Sequence, residues 1–408
     1  VVGVDVKRDI VERVSSGTSH VKEPMLDELV EKAVKASRLK ATVNAAVALK
    51  DTDTVIICVQ TPITAKGKPD LSPLEKTCDA IGSRLSKGML VVVESTVPPG
   101  TTKGLVAKKL EEKSGLECGR DFWLAYCPER IAPGRTIVEF EQNSRIIGGF
   151  DKESGELAAA LFRTVVKGDM VVTDYSVAEV AKLAENTFRD VNIAFANELA
   201  LICEALNVDV MKVIRLANTH PRVKIHMPGS GVGGPCLPKD PFLLQHEVEA
   251  RGYRPRFIKL SREINDSMPE HTVNLVIKAL KETRKDIANS KVAILGVAYT
   301  RDIGDSTNSP AEKIVKKLMS LGAEVAVYDP YAEESFGAKK TKSVSEAVKS
   351  ADCIVIATDH NMFKKLSLPK MKALANEKPA IIDGRRLVDP TQAEKHGFLY
   401  LGIGRGVK

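Results

Sequence analysis

No stretch of this chain is apolar for long enough to cross a membrane, and its first residues carry neither a basic n-region nor a small-residue cleavage site. Neither a membrane span nor a secretory leader is expected. The cysteines lack the paired spacing of a metal-ligand set. Seven in number, and therefore odd, they argue against a disulfide framework or a zinc site and for reduced thiols in a cytoplasmic compartment. Charge of one sign is nowhere gathered into a stripe: the net charge is +7, but basic residues interleave with acids, as in Glu111-Glu112-Lys113. A nucleic-acid partner is not indicated, and an anionic small substrate suits the mild basic excess better. With 43% hydrophobic and 28% charged residues over 408 positions, the rest is the composition of a soluble globular protein of two or three domains.

A glycine-rich dinucleotide fingerprint is also missing. The run Val1-Val2-Gly3-Val4-Asp5 has the β-branched character of a buried parallel strand with a carboxylate at its end. If Asp5 is the ribose-binding acid of a dinucleotide fold, the fingerprint belongs about twenty residues earlier, ahead of Val1. The first domain is therefore expected to start at its second strand. Without the turn and helix amino terminus that cradle a pyrophosphate, these residues are expected to bind NAD poorly. The plainer alternative is an acid that merely ends a strand.

Strand patterns at 54–59, 89–94 and 145–149 alternate with helical patterns at 74–85 and 102–113, which implies a parallel sheet covered on both faces. From Ser176 to about Asn218 the pattern is nearly uninterrupted helix, suited to linking two α/β units and to forming a dimer surface or packing within the chain. A second α/β unit follows, with strands expected at 291–296, 324–330, 352–358 and 380–383 and a helix near 311–321. The expected fold class is α/β, with two Rossmann-like parallel-sheet domains at 1–172 and 289–408 joined by a helical domain at 173–288.

The most informative segment is Gly231-Val232-Gly233-Gly234-Pro235-Cys236-Leu237-Pro238-Lys239-Asp240. Glycines let backbone approach a ligand closely, and a thiol set among them with Lys-Asp three and four positions on is presented as a nucleophile. A buried structural cysteine is the alternative, but a core position needs no such surroundings.

This segment occurs in order with Ser95-Thr96-Val97-Pro98-Pro99-Gly100-Thr101, Cys127-Pro128-Glu129-Arg130, Lys182 with Asn186, and Asp383-Gly384-Arg385-Arg386. Together these motifs, spread from Val1 to about Arg386, resemble the nucleotide-sugar 6-dehydrogenases, the family that includes UDP-glucose and UDP-N-acetylmannosamine dehydrogenases. The stretch from His220-Pro221-Arg222 into Pro228-Gly229-Ser230 is more similar to the N-acetylhexosamine branch.

The resemblance implies an NAD-dependent, four-electron oxidation of the sugar's sixth carbon to a carboxylate, with Cys236 holding the half-oxidised sugar as a thiohemiacetal and then a thioester. It implies that Lys182 and Asn186 serve the oxyanion, that Asp240 orders water or acts as base, and that Glu129 and Thr96 lie near that water. Asp5, Thr61, Pro62, Ser95, Thr96 and Lys239 are implied for the cofactor. For the UDP-sugar it implies Glu129, Arg130, Lys182, Asn186, Arg222, Gly233, Tyr299 and Arg385. A homodimer or dimer of dimers is implied, with Arg222 reaching the neighbouring subunit's sugar. Two positions depart from the pattern. Thr300 stands where relatives commonly carry lysine, with Arg301 next, and Pro235 precedes the nucleophile where histidine is common in the N-acetylmannosamine branch. Competing expectations are a UDP-glucose 6-dehydrogenase, a simple alcohol or hydroxyacid dehydrogenase with a structural Cys236, and a non-catalytic nucleotide-sugar sensor.

Overall fold

The computed structural model describes residues 1–21, 23–64 and 67–406, so the last two positions of the expected third domain lie outside the described residues. Two compact units emerge. The first comprises 1–185 and 242–254, the second 186–241 and 255–408.

In the first unit, β1 (Val2–Val4) pairs in parallel with β2 (Lys40–Thr42). A separate five-stranded sheet runs in the order β3 (Thr54–Ile57), β4 (Leu90–Val93), β5 (Trp123–Tyr126), β6 (Arg145–Gly149) and β7 (Met170–Asp174). No ladder joins the two pieces among the described residues, and Val2, Val4 and Ile56 are exposed. β4 is buried at every position because helices Ser72–Gly82 and Lys152–Arg163 pack on the sheet, which is why Leu90-Val91-Val92-Val93 shows no alternation.

One feature departs from an all-parallel sheet: β6 runs antiparallel to β5, through Ala125 opposite Gly149 and Tyr126 opposite Gly148. The expected helix at 102–113 forms, but its first turns, Thr102–Ala107, are π-helical before regular α-helix continues over Lys108–Ser114. The expected long helical run is broken. Helix Tyr175–Ala205 ends before Asn207, which takes a left-handed φ of 55°, and Asp209 then caps the next helix, Val210–Ala217. The apolar periodicity continues across this corner because both helices serve one core, so hydrophobic pattern alone hid the break.

The second unit contains a six-stranded parallel sheet in the order β10 (Lys339–Lys340), β9 (Glu324–Tyr328), β8 (Lys291–Leu295), β11 (Cys353–Ile356), β12 (Ala380–Asp383) and β13 (Leu399–Gly402). Helix Arg256–Glu282 covers one face together with Pro310–Ser320. The chain turns outward on either side of β8, so the crevice at the carboxyl ends of β8 and β11 is the topological switch point where such sheets take ligands.

That edge is held together by Asp329, just after β9. Its carboxylate accepts backbone N–H bonds from Val297 and Ala298 at 2.7 and 3.0 Å and from Tyr331 and Ala332 at 2.8 and 2.9 Å. The fully buried His360 ring approaches through Nε2 at 3.0 Å. Burial works against the anion, but these donors outweigh it and hold the Asp329 carboxyl well below the usual carboxylate range. An acid with its folded pKa depressed contributes stability that is present above the unfolded value near 4 and is lost as pH falls towards the folded one. Asp329→Asn is accordingly expected to cost on the order of 2–4 kcal/mol at pH 7 and to flatten the acid limb of the stability profile, as measured by urea melts between pH 3 and 7. Equal stability of the two proteins at pH 7 would remove this account.

Candidate active site

In the first unit, the loops leaving β3 and β4 are stitched together. Thr61 Oγ1 donates to the Thr96 carbonyl at 2.6 Å, and Ser95 Oγ donates to the Val59 carbonyl at 2.7 Å. The following Pro98-Pro99-Gly100 turn is anchored by fully buried Glu179, which accepts from Gly100 N at 2.5 Å, Thr102 N at 2.8 Å and Thr102 Oγ1 at 2.6 Å. Thr61, Pro62, Ser95 and Thr96 thus lie along the carboxyl edge of this sheet. Asp5 follows β1, where its Oδ1 accepts from Lys7 N at 2.8 Å, and its charge reaches Cys58 beyond β3. A carboxylate able to accept ribose hydroxyls, beside hydroxyl-bearing turns at parallel strand ends, fits the adenosine and nicotinamide sides of a dinucleotide.

Lys182, on helix Tyr175–Ala205, is 5% exposed. Its Nζ donates to the Glu129 carbonyl and lies 3.6 Å from Glu129 Oε2. Glu129 also accepts from Ile131 N. Arg130 forms a two-pronged pair with Glu185, at 3.2 Å through Nε and 2.7 Å through Nη2, and donates to the Ser144 carbonyl at 2.8 Å. Its fork is therefore engaged within its own unit. Sequence reasoning missed Glu94, at the end of β4. Burial pushes its carboxyl up, Arg145 opposes this and Glu129 adds to it, so two carboxylates of different environment stand near one another. An acid closing a wholly apolar strand was the available signal.

In the second unit, Gly231 and Gly234 have φ of 131° and 97°, and a Cβ on Gly233 would fall 2.7 Å from Tyr299 Cβ. The glycine-rich loop is therefore pressed onto the Tyr299 turn, where Asn308 Nδ2 donates to the Gly234 carbonyl at 3.1 Å. Cys236 follows, partly exposed, and its carbonyl accepts from Lys239 N and Asp240 N at 2.9 Å each in the turn that opens helix Asp240–Ala250. This places Cys236 just ahead of a helix amino terminus, where unpaired N–H groups carry partial positive charge. Burial, with Asp305 and Cys236 nearby, pushes the Tyr299 phenol up to about 12.

Of the other six cysteines, five are buried and Cys58 is exposed. Burial pushes the thiols of Cys78, Cys118 and Cys127 up to about 12 and raises those of Cys203 and Cys353, while partial burial with Glu94 and Asp5 nearby raises that of Cys58.

Asp240 is fully buried, and its Oδ2 accepts from Asn186 Nδ2 at 2.6 Å while Lys239 Nζ lies 4.0 Å from Oδ1. Asn186 sits one helical turn beyond Lys182. The loop preceding Cys236 is fixed by asparagines of the same helix: Gly229 N donates to Asn197 Oδ1 at 2.9 Å and His226 N to Asn192 Oδ1 at 2.9 Å. Asn197 leads on through Asn265 to the buried Asp190–Arg262 pair, bonded at 2.6 Å. Arg222 lies exposed after helix Val210–Ala217, and Arg385 pairs with Asp359 at 2.9 Å.

Comparison with known proteins agrees along the chain. Residues 1–166 match the NAD binding domain of the UDP-glucose/GDP-mannose dehydrogenase family, 176–267 its central domain and 293–390 its UDP binding domain. The UDP-N-acetyl-D-mannosamine dehydrogenase of Pyrococcus horikoshii is 42% identical over 407 residues, covering 100% of this chain and 94% of that protein, and its solved structure superposes with a TM-score of 0.93. The NDP-N-acetyl-D-galactosaminuronic acid dehydrogenase of Ralstonia solanacearum is 37% identical, covering 91% and 88% of the two chains. A UDP-glucose dehydrogenase structure from Pyrobaculum islandicum is 29% identical at a TM-score of 0.89, covering 100% and 92%. Motif order, sheet topology and three consecutive domain matches converge: this chain belongs to the UDP-glucose/GDP-mannose dehydrogenase family.

Proposed function

We propose that this protein oxidises UDP-N-acetyl-D-mannosamine at C6 to the uronic acid, with Cys236 as covalent nucleophile. NAD, when bound, accepts the hydride in each of the two oxidations. The lead observation is the setting of Cys236: a partly exposed cysteine on a glycine-rich loop just ahead of a helix amino terminus, whereas five of the other six cysteines are buried. The hexosamine assignment is supported by relatives of that name at 35–42% identity over the whole chain, against 29% for the UDP-glucose dehydrogenase structure.

Loss of the C6 hydroxyl proton and of a hydride leaves an aldehyde. Cys236 Sγ adds to its carbonyl carbon, and the oxygen takes a proton to give a thiohemiacetal. Loss of a second hydride and that proton leaves a thioester. Water then adds to the acyl carbon, the C–S bond breaks, and carboxylate and thiol are released. Lys182 and Asn186 donate to the oxygen as negative charge develops on it. Asp240, buried and held by Asn186, receives a proton from the alcohol or from the hydrolytic water, with Thr96 and Glu129 ordering that water. Asp5, Thr61, Pro62, Ser95, Thr96 and Lys239 hold the cofactor. Glu129, Arg130, Arg222, Gly233, Tyr299 and Arg385 hold the sugar nucleotide. The three-part division at 172 and 288 assigns cofactor, catalysis and UDP to successive segments.

A homodimer is the proposed assembly, with Arg222 reaching the partner's sugar. Supporting it, Phe188, Phe195 and Ile202 lie exposed at heptad spacing on helix Tyr175–Ala205, with Leu206 just beyond. A cytoplasmic location is proposed from the reduced cysteines.

The test is cofactor stoichiometry with each sugar. Two NADH are expected per UDP-N-acetyl-D-mannosamine, with kcat/KM exceeding that for UDP-glucose by about 100-fold or more. One NADH per sugar would favour a simple alcohol dehydrogenase, and preference for UDP-glucose would move the substrate.

A further inference from the structure

Three loops leave the carboxyl ends of β8, β11 and β12, and each contributes one charged side chain to a single cluster. Arg301 follows β8, Asp359 follows β11 and Arg385 follows β12. Arg385 Nη2 donates to Asp359 Oδ1 at 2.9 Å, Arg301 Nη2 donates to Oδ2, and Arg301 Nε donates to the Asp359 carbonyl at 3.0 Å. The Asp359 side chain is 12% exposed, whereas those of Arg301 and Arg385 are 46% and 30% exposed. Burial alone would raise the Asp359 carboxyl, but Arg385 and Arg301 outweigh it and hold the group below the usual carboxylate range.

The position is as telling as the pairing. β8 lies between β9 and β11, so the cluster spans the switch point of the sheet, where a ligand is taken. Two guanidinium groups on separate loops would repel one another there. A shared carboxylate cancels that repulsion while consuming only some of the five N–H donors each arginine carries. A second observation points to a ligand. Ser230 is 2% exposed and its Oγ lacks a hydrogen-bond partner among the described residues. It abuts the Arg385 turn: a Cβ on Gly384 would lie 2.1 Å from Ser230 Oγ, and one on Gly229 would lie 2.7 Å from Arg385 Nη1.

We propose that Asp359 is a positioning residue that clamps Arg301 to Arg385 and presents them as a pair to the diphosphate of the sugar nucleotide. This rests on the nucleotide-sugar reading above. Diphosphate oxygens match the planar donor forks of two arginines, and a carboxylate between them holds the forks side by side.

Calorimetric titration of the full chain with UDP and with uridine tests it. Asp359→Asn is expected to weaken UDP by about tenfold and uridine by less than about twofold, the loss in turnover falling on KM for the UDP-sugar. Arg301→Gln should weaken UDP to a similar degree, the double variant should lose little more than either single one, and Arg301→Lys should recover part of the loss. Unchanged UDP affinity in Asp359→Asn overturns the clamp and leaves the proposed function standing, as do equal losses for UDP and uridine, which would mean a collapsed pocket. Failure of the unaltered protein to bind UDP overturns both. Should Asp359→Asn not fold, Arg301→Gln decides alone, because its side chain is half exposed: retained UDP affinity sinks the clamp.

Discussion

Replacing Cys236 by serine is expected to lower the rate of complete oxidation by at least about 10³-fold, equivalent to about 4 kcal/mol in the barrier, while leaving UDP-sugar binding within a few-fold. Serine keeps the shape of the side chain but not its chemistry. At neutral pH a hydroxyl is a far weaker nucleophile than a thiol at a helix amino terminus, and an ester is a less reactive acyl intermediate than a thioester. Cys236→Ala sharpens the expectation: with no atom to hold the aldehyde, a single turnover should yield one NADH per sugar rather than two. Rapid-mixing absorbance at the nicotinamide band reads the count directly. Because Cys236 is partly exposed on a loop, neither substitution opens a core cavity, and thermal stability should stay close to that of the unaltered protein. A Cys236→Ala enzyme that still delivers two NADH at the normal rate would eliminate covalent catalysis.

Much of the fold was legible because strand identity in a parallel sheet is written in short apolar runs. Lys291–Leu295, Glu324–Tyr328, Cys353–Ile356 and Ala380–Asp383 fall inside the runs that mark them. Other strands escaped. Trp123–Tyr126 is four residues long and mixes aromatic with small side chains, and Lys339–Lys340 is two exposed lysines at a sheet edge, where pairing alone and no burial pattern defines a strand. The reversed direction of β6 is likewise a property of pairing rather than of Arg145–Gly149 itself.

The site divides in the same way. Glycines and a cysteine announce themselves because few other residues can do their work, as the left-handed φ of Gly234 against the Tyr299 ring illustrates. Supporting carboxylates do not. Glu179 anchors the Gly100 turn and Asp359 ties two arginines, yet in sequence each is one acid among 53 Asp and Glu residues, and only the fold brings its partners to it. Arg130 combines the two. Its motif marked it for substrate, while the partners that orient its guanidinium, Glu185 and the Ser144 carbonyl, are disclosed only by the fold. Motifs thus disclose groups whose chemistry is scarce, and geometry is needed for groups whose chemistry is common but whose placement is not.

Lys182 carries the second large effect. Lys182→Met is expected to reduce kcat by about 10²–10³-fold, since a preorganised donor to a developing oxyanion is worth that much in a site shielded from water. Methionine keeps an unbranched apolar stem, so the packing of a side chain that is 5% exposed is largely preserved and the change removes chiefly the ammonium. What it leaves behind is a Glu129 carbonyl without its donor, which costs stability by about 1–3 kcal/mol and is read separately by thermal melts. Lys182→Arg should not restore the rate, because a planar fork cannot occupy the place of a compact ammonium held between the Glu129 carbonyl and its carboxylate 3.6 Å away. The discriminating measurement is kcat at temperatures well below the melting transition of each variant. A loss that vanishes there would reduce Lys182 to a packing element; a loss that persists with the UDP-sugar still bound assigns it to the transition state.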